Sequence, residues 1–280
     1  MLSYPAIDPV AVSLGPVRLH WYGVMYIAAF LVAWLLGRCR AARPGSGWTS
    51  DQVDDLATWA MLGVVLGARI GYILFYDRDT YLADPLEIFR VWNGGMSFHG
   101  GLIGVLVISL GWGLVHKKRF LDVTDFIAPL VPPGLLFGRL GNFINGELWG
   151  KVTTVEWGMV FPGAGDLPRH PTQLYEGGLE GLLLFVVLWI YSRRHRPLGA
   201  VSGMFAVLYA LFRMTVEFFR VPDPQLGYLF FGWVTMGQLL CLPLLLVGLL
   251  LLARASHERS HPSRNKVVLD DGSVVWVKRR

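Results

Sequence analysis

The sequence predicts an all-α polytopic membrane protein of about seven transmembrane helices, on the grounds of its composition and the spacing of its apolar stretches. Of its 280 residues, 54% are hydrophobic and 16% are charged, and the mean hydropathy is +0.47. Soluble domains usually contain about 25% charged residues. The apolar stretches recur, and most are long enough for a hydrocarbon core, which needs about 20 helical residues per crossing. This pattern excludes a soluble α/β enzyme, a disordered chain and a fibrous repeat.

The spans are identified from the apolar runs and from the residues that interrupt them. Trp21 and Tyr22 anchor the first span, which is too long for a cleavable signal peptide and has its positive charge after the apolar run. The fourth span contains three prolines, which indicate a broken or partly re-entrant crossing. The predicted spans are residues 19–37, 56–76, 95–115, 126–138, 179–191, 199–219 and 229–252.

Basic residues alternate between the connections, as expected when Lys and Arg accumulate in short cytoplasmic loops. They follow the first, third, fifth and seventh spans, at residues 38–43, 117–119, 193–196 and from Arg254 onward. We therefore predict an outward N-terminus and a cytoplasmic C-terminus. The net charge of +5 is interpreted as a topology signal and not as a nucleic-acid surface.

The predicted organisation is a seven-span membrane domain over residues 1–255 and a cytoplasmic polar tail over residues 256–280. Within the domain, residues 142–174 are rich in Gly and Pro and are expected to form a small outward head. The tail ends in a pattern typical of a β-hairpin around Asp270-Asp271-Gly272. Cys39 and Cys241 are too few for a disulfide scaffold and are interpreted as packing residues.

His99 lies among glycines, in the run Gly94-Gly95-Met96-Ser97-Phe98-His99-Gly100-Gly101-Leu102-Ile103-Gly104. Glycines permit close approach of backbone or lipid and would leave the imidazole accessible. A histidine can accept or donate a proton near neutral pH. A stripe of glycines that packs two helices, with a structural histidine, is an equally good interpretation.

Arg139 opens a polar run after the fourth span, Gly138-Arg139-Leu140-Gly141-Asn142-Phe143-Ile144-Asn145-Gly146-Glu147. A guanidinium group can hold a phosphate through two parallel hydrogen bonds, and the glycines leave room for a lipid headgroup. The density of polar residues favours function over an arginine that extends to the membrane surface.

Arg213, Glu217 and Arg220 are spaced four and three residues apart near the end of the sixth span, so one helix face would present all three. Two arginines with one carboxylate would form a net positive pocket for an anionic headgroup, although a structural ion pair fits equally well. Arg69 lies inside the second span, where a charge is costly and indicates function by default. The stretch 169–176 gives a similar but weaker indication.

The sequence lacks the motifs of several other chemistries. It has no H-E-x-x-H, no G-x-S-x-G, no phosphate-loop lysine and no aspartate cluster for a divalent metal. We therefore expect chemistry driven by an activated lipid, with no cofactor and no metal.

With these residues in view, the sequence resembles the bacterial prolipoprotein diacylglyceryl transferases. The resemblance covers nearly the whole chain except the tail. It is carried by His20-Trp21-Tyr22-Gly23, the two runs quoted above, and the stretches 169–176 and 212–220. The Gly-Arg-x-Gly-Asn-Phe-Ile-Asn-Gly-Glu run is highly specific to the family.

The resemblance implies a multi-pass enzyme of the bacterial inner membrane, with a periplasmic N-terminus and head. It would transfer the sn-1,2-diacylglyceryl group of phosphatidylglycerol to the lipobox cysteine of a prolipoprotein signal peptide. The products would be a thioether and glycerol 1-phosphate. The resemblance associates Arg139 with phosphatidylglycerol binding and also gives importance to His99, Arg213, Tyr22, Asn142 and Glu147.

The hypothesis for the mechanism follows from these assignments. Arg139 and Arg213 would stabilise the phosphate as the carbon–oxygen bond breaks, and His99 would be the base for the thiol. Arg69, Glu217 and Arg220 are further candidates for substrate binding. A thiol near two arginines could also lose its proton without a dedicated base, which would leave His99 to hold a glycerol hydroxyl.

Two other functions remain open on the residues alone. A secondary transporter could use Arg69, Arg139 and Arg213 to bind an anionic solute, although no internal repeat is visible. A phospholipid-modifying transferase could also act on a sugar or an amine, because a cationic lipid site would look the same.

Overall fold

The computed structural model confirms the predicted fold class, since seven helices within its described residues are long and apolar enough to cross a membrane. The described residues are 2–5, 7–15, 17–90, 94–222, 227–260, 264–268 and 274–278. The candidate spans are Trp21–Ala41, Ser50–Phe75, Phe98–Val115, Phe120–Ile144, Thr172–Tyr191, Ala200–Glu217 and Met236–Glu258.

Helices form almost all of the described secondary structure. The strands and the first helices are β1 (Val10–Leu14), β2 (Val17–His20), α1 (Trp21–Ala41), α2 (Ser50–Phe75), α3 (Arg78–Ala83) and α4 (Phe98–Val115). They are followed by α5 (Phe120–Ile127), α6 (Val131–Ile144), α7 (Thr172–Glu176), α8 (Leu184–Tyr191), α9 (Ala200–Glu217), α10 (Met236–Ser260), β3 (Arg264–Val268) and β4 (Val274–Lys278). Short 3₁₀ segments cover Pro85–Phe89 and Ala128–Leu130, and a π-helical segment covers Gly177–Leu183.

The second and third spans do not begin where the apolar pattern begins. Helix α2 starts at Ser50, before the predicted position 56, because Thr49 and Gln52 form a reciprocal capping box. Helix α4 starts at Phe98, after the predicted position 95, because Gly94 and Gly95 have positive φ angles. Caps and backbone conformation therefore set these ends, and hydropathy does not.

The fourth crossing is longer and more regular than the sequence predicts. The candidate span covers 25 residues, Phe120–Ile144, and α5 passes through the short 3₁₀ segment into α6. The prolines lie in that segment and in the first turn of α6, where a missing backbone N–H is tolerated. The prolines therefore coincide with an interruption, as the sequence predicts, and that interruption is a local change of helix type.

The chain forms two compact units. In the amino-terminal unit, residues 10–138, α2 packs on α4 through facing glycines. A Cβ atom on Gly67 would lie 2.9 Å from the Cα of Gly104 and would clash with the carbonyl oxygen of Gly100. These glycines therefore bring two helix backbones together, as in small-residue packing of membrane helices.

The carboxy-terminal unit, residues 1–9 and 139–280, contains the segment predicted as a head. Short β-bridges join Val152 and Met159 to Arg169. Phe161 is fully buried there beside Met159 and Ala164, and Tyr4 packs against this small core. The hydroxyl of Tyr4 donates to the carbonyl oxygens of Phe143 and Ile144 at 2.7 and 3.0 Å, so the end of α6 is tied to the head.

The predicted tail differs in part from the expectation. Helix α10 continues to Ser260, so the residues immediately after position 255 are helical. Strands β3 and β4 pair antiparallel, as the hairpin pattern predicts, while Asp270, Asp271 and Gly272 lie outside the described residues. Cys241 is buried as expected, but Cys39 is exposed, so its interpretation as a packing residue is wrong.

Candidate active site

Six charged side chains meet inside the carboxy-terminal unit, and we call them the Arg/Glu cluster. Helix α6 contributes one arginine, α7 and the π-helical segment one glutamate each, α9 an arginine and a glutamate, and the turn after α9 an arginine. The members are Arg139, Glu176, Glu180, Arg213, Glu217 and Arg220. Only 1%, 0% and 5% of the side chains of the three glutamates are exposed, so the cluster is largely screened from solvent.

Glu176 is the common partner of all three arginines. Its Oε1 lies 3.2 Å from Nη1 of Arg213 and 2.9 Å from Nη1 of Arg220. Its Oε2 is paired with Nε of Arg139. Buried charges are stable only with close opposite charges, and one carboxylate here brings three guanidinium groups together.

Arg213 is surrounded by carboxyl groups. Its Nη2 donates to Oε1 of Glu217 at 2.5 Å, the contact expected for residues four apart in a helix. The second oxygen of Glu217 accepts a hydrogen bond from the hydroxyl of Thr235 at 3.1 Å. Nη1 of Arg213 forms ion pairs with Glu176 at 3.2 Å and with Glu180 at 4.0 Å, but it makes no hydrogen bond to the described residues.

Arg220 contacts the cluster from a different position than predicted. Helix α9 ends at Glu217, so Arg220 lies in the turn beyond it and not on the same helix face. Its Nε is nevertheless 3.5 Å from Oε1 of Glu217. The three residues therefore meet as the spacing predicts, but the net positive pocket inferred from them does not form, because Glu176 and Glu180 supply further carboxyl groups.

A chain of hydrogen bonds leads from Arg139 to the segment after α6. Nη1 of Arg139 donates to Oδ1 of Asn142 at 3.3 Å, and Nδ2 of Asn142 donates to Oε1 of Glu147 at 2.9 Å. Nε2 of the buried Gln173 donates a hydrogen bond to the backbone carbonyl oxygen of Glu147 at 2.6 Å. Because Glu147 is exposed while Asn142 is buried, the chain runs from the inside of the unit to its surface.

Gly150 allows three segments to cross beside this network. A Cβ atom there would lie 2.6 Å from the carbonyl oxygen of Phe219 and 2.8 Å from Cβ of His170. The backbone of Gly150 also pairs with Arg220 in an isolated β-bridge. A larger residue would push apart the strands of chain that carry Glu147 and Arg220, so glycine is required by geometry.

His170 lies next to the cluster, outside the membrane-spanning segments. Its Nδ1 is 3.0 Å from the hydroxyl of Tyr175, which also accepts a hydrogen bond from the indole of Trp157 at 2.6 Å. Burial and the nearby Lys151 lower the pKa of His170 below its usual value. The imidazole is therefore mainly neutral at pH 7.

Three sequence candidates belong to the amino-terminal unit. His99 is exposed as the second residue of α4, and Tyr22 lies in the first turn of α1, with its hydroxyl 3.5 Å from that of Tyr26. Arg69 is 4% exposed and donates to five backbone carbonyl oxygens between residues 87 and 95. The candidates thus fall into two sets, one in each unit.

Glu180 is the site member that the sequence interpretation misses, and Glu176 falls only within the weakly indicated stretch 169–176. That interpretation begins the fifth span at position 179, whereas the helix starts at Thr172 and carries both glutamates into the apolar region. Two acidic residues four apart at the start of an apolar run are the signal that could have found them. Among the described residues, no group of three or more His, Cys, Asp or Glu side chains is arranged to hold a metal ion.

Comparison with known proteins gives one consistent family. The family model described as "Prolipoprotein diacylglyceryl transferase" matches residues 9–254. A phosphatidylglycerol–prolipoprotein diacylglyceryl transferase of Nitratidesulfovibrio vulgaris (strain DP4) is 64% identical over 252 residues, which cover 90% of this chain and 96% of that protein. Proteins with the same name from Solidesulfovibrio magneticus and Coxiella burnetii (strain RSA 331) are 60% and 59% identical, over 93% and 89% of this chain and 99% and 95% of their own length.

Proposed function

The chain belongs to the prolipoprotein diacylglyceryl transferase family, and on that premise we propose how its residues perform the transfer. It is a multi-pass membrane transferase that moves a diacylglyceryl group from phosphatidylglycerol to a prolipoprotein, the first step of lipoprotein maturation. We propose in addition which groups react. The sulfhydryl of the lipobox cysteine in the signal peptide receives the sn-1,2-diacylglyceryl group, and glycerol 1-phosphate leaves.

One bond forms and one breaks in this step. The cysteine thiolate attacks C3 of the diacylglycerol portion, a carbon–sulfur bond forms, and the bond from C3 to the phosphate oxygen breaks. The thiol proton passes to a base, and negative charge grows on the departing phosphate. Fixed cations accelerate a reaction when they stabilise charge that develops in the transition state. The arginines nearest the phosphate should therefore matter most for the rate.

The buried Nη1 of Arg213 is the observation that carries this assignment. This nitrogen is held by ion pairs with Glu176 at 3.2 Å and Glu180 at 4.0 Å and makes no hydrogen bond, so a phosphate oxygen could accept one from it. Arg139 is the second phosphate ligand, since its side chain is 21% exposed and so is more accessible than that of Arg213 at 15%. Glu176 holds the two guanidinium groups in place, and Glu217, which is itself paired with Arg220, also holds Arg213.

Asn142 and Glu147 orient Arg139 and the lipid headgroup. Asn142 accepts from Arg139 and donates to Glu147, so it links the phosphate ligand to an exposed carboxylate. Carboxylate oxygens accept hydrogen bonds, and the headgroup glycerol of phosphatidylglycerol offers hydroxyl donors. Glu147 therefore supports recognition of the headgroup.

His99 is proposed as the base for the thiol, and Tyr22 as a polar group near the outer leaflet. The imidazole of His99 is exposed, so a substrate thiol could reach it, and histidine is the most common general base in enzymes. Arg69 was a candidate for substrate binding, but its donors are engaged by backbone carbonyl groups. Its function is therefore to support the neighbouring backbone and not to bind substrate.

The alternation of basic loops supports a location in the bacterial inner membrane, with the N-terminus and residues 142–174 in the periplasm. Residues 1–255 would form the catalytic domain, and the tail over residues 256–280 would lie in the cytoplasm. The signal peptide and the lipid are both held in the membrane, so both would reach the site laterally.

The decisive experiment uses purified protein in detergent with phosphatidylglycerol and a synthetic lipobox peptide. Release of glycerol phosphate and the mass gain of the peptide are followed together, and a peptide with the cysteine replaced by serine is the control. We expect both signals with the cysteine peptide and neither with the serine peptide. Folded protein that gives neither signal with the cysteine peptide would overturn the proposed transfer.

A further inference from the structure

We propose that Arg69 is a positioning residue, which fastens the backbone leading into α4 and so fixes His99. The inference rests on the proposed function, in which His99 takes part in the transfer. It concerns the amino-terminal unit alone and assigns to Arg69 no contact with lipid or peptide.

All five N–H groups of the Arg69 guanidinium are engaged by backbone carbonyl oxygens. Nε donates to Ile88 at 3.0 Å, one donor of Nη1 to Gly95 at 3.1 Å, and one of Nη2 to Arg90 at 3.3 Å. The remaining two donors are paired with the carbonyl oxygens of Gly94 and Glu87. Since an arginine has five N–H donors, none is left for a phosphate.

The surroundings of Arg69 hold its charge without a carboxylate among these partners. Its guanidinium carbon lies 4.9 Å from the ring centroid of Tyr81, so an aromatic face adds to the carbonyl dipoles. The residue itself is only 4% exposed. A buried guanidinium group whose five N–H groups all donate to main-chain oxygens fixes the path of the main chain. Lysine has only three N–H donors and cannot make the same set of hydrogen bonds.

The fastened backbone leads directly into the helix that carries His99. Gly94 and Gly95 both have positive φ, and Ser97 then donates its backbone N–H to the carbonyl oxygen of Ala68 at 2.9 Å. The hydroxyl of Ser97 accepts the N–H of Gly100 at 3.3 Å and caps α4. Neighbouring residues of α2, Ala68 and Arg69, therefore hold the chain just before His99, the second residue of α4.

Gly95 offers a second way to disturb the same contact without a change of charge. A Cβ atom on Gly95 would lie 2.8 Å from Nη1 of Arg69 and 2.9 Å from the hydroxyl of Tyr81. A Cβ atom on Gly94 would have nothing within 4 Å. Both glycines have positive φ, so alanine is unfavourable at either position, but only alanine at 95 meets Arg69.

The first arm of the test measures structure. Hydrogen exchange of the peptide over residues 94–101 is compared between full-length wild type, Arg69→Lys, Gly95→Ala and Gly94→Ala in detergent. We expect faster exchange in Arg69→Lys, and a larger increase in Gly95→Ala than in Gly94→Ala. Unchanged exchange in Arg69→Lys, or equal increases in the two alanine variants, would overturn the fastening.

The second arm measures whether Arg69 acts through His99. In folded Arg69→Lys we expect kcat to fall about tenfold to a hundredfold, as for a small misplacement of a reacting group, with the KM for phosphatidylglycerol within about twofold of wild type. In a His99→Gln background the same change should cause no further loss, because its effect is already removed. Additive losses, or a rise in KM alone, would overturn the link to His99.

The two arms separate this inference from the proposed function. Wild-type protein that transfers nothing contradicts the proposed function, whereas the exchange arm still decides whether Arg69 fastens residues 94–97. Active wild type with no change in either arm contradicts the inference alone.

Discussion

At the scale of single residues, Glu176 explains how three arginines can lie together in a membrane protein. Guanidinium groups repel one another, and each would be costly to bury alone. Both carboxylate oxygens of Glu176 form ion pairs. One is paired with Arg139, and the other is shared by Arg213 and Arg220. The phosphate ligands of the proposed mechanism are therefore preorganised before lipid binds, which is the condition for effective electrostatic catalysis.

Replacement of Glu176 by glutamine should reduce kcat/KM by about 100-fold or more, as expected when preorganised charge stabilisation is lost. Glutamine keeps the shape but removes the charge and places an amide donor beside arginines, so they should move apart. The assay is release of glycerol phosphate at several lipid concentrations, with thermal unfolding to confirm that the variant is folded. Glu258→Gln is the matched control, because Glu258 makes an exposed pair with Arg254 at 3.6 Å and should have little effect. Near-normal activity in folded Glu176→Gln would contradict the proposed organisation.

His170 gives a prediction about pH at the same scale. Its pKa is lowered in the folded protein, chiefly by burial, so the unfolded chain binds the proton more readily. The contribution of neutral His170 to the free energy of unfolding is fully present above the pKa of the unfolded chain, about 6.5. It is lost as the pH falls from there through the lower pKa of the folded protein. Thermal unfolding should therefore show a lower Tm at pH 5.5 than at pH 7.5, and the difference should shrink in His170→Gln. An equal pH dependence in both proteins would show that His170 does not contribute.

At the scale of elements, hydropathy predicts that a span exists better than it predicts where the span ends. The start of α2 depends on the side chain of Thr49, and the start of α4 on two glycines with positive φ. The fifth helix begins at Thr172 among polar residues whose side chains are buried by the unit itself. A window of apolar residues cannot detect such burial, so hydropathy assigns Glu176 to a loop and does not predict its ion pairs with the arginines.

The packing of α2 on α4 yields a prediction about stability. Gly67→Ala would force a methyl group against the backbone of Gly100 and Gly104, so we expect a loss of about 1–3 kcal/mol in the free energy of unfolding, typical of overpacking. Gly111→Ala on the partner helix α4 is the control, since a Cβ there would meet nothing within 4 Å. Alanine is the better helix former, so Gly111→Ala should be neutral or slightly stabilising. Equal stability of the two variants, measured by reversible unfolding in detergent micelles, would rule out close packing at Gly67.

At the scale of the whole molecule, the sequence predicts the number of spans and most of the polar residues but not their grouping. Arg139, Asn142 and Glu147 are close in sequence, so their hydrogen-bonded chain follows from local structure. The meeting of Arg139 with Arg213 through Glu176 joins three separate helices, and no spacing rule contains that contact. Arg69 illustrates the converse case, because an intramembrane charge predicted function by default while its partners are backbone carbonyl groups.

The orientation of the molecule in the membrane is the prediction that the basic loops make most directly. Cys39 is exposed beside Arg38 and Arg40 at the end of α1, which the positive-inside pattern places at the cytoplasmic face. Asp166 is exposed in the segment predicted to be periplasmic, and Cys241 is buried, so it should react slowly. In spheroplasts, an impermeant maleimide should therefore label an Asp166→Cys, Cys39→Ser variant and leave wild-type protein unlabelled. A permeant maleimide should label both proteins, because it reaches Cys39 of the wild type from the cytoplasm and the cysteine at position 166 of the variant from outside. Labelling of wild type by the impermeant reagent, abolished by Cys39→Ser, would reverse the orientation and place Arg38 and Arg40 on the outer face.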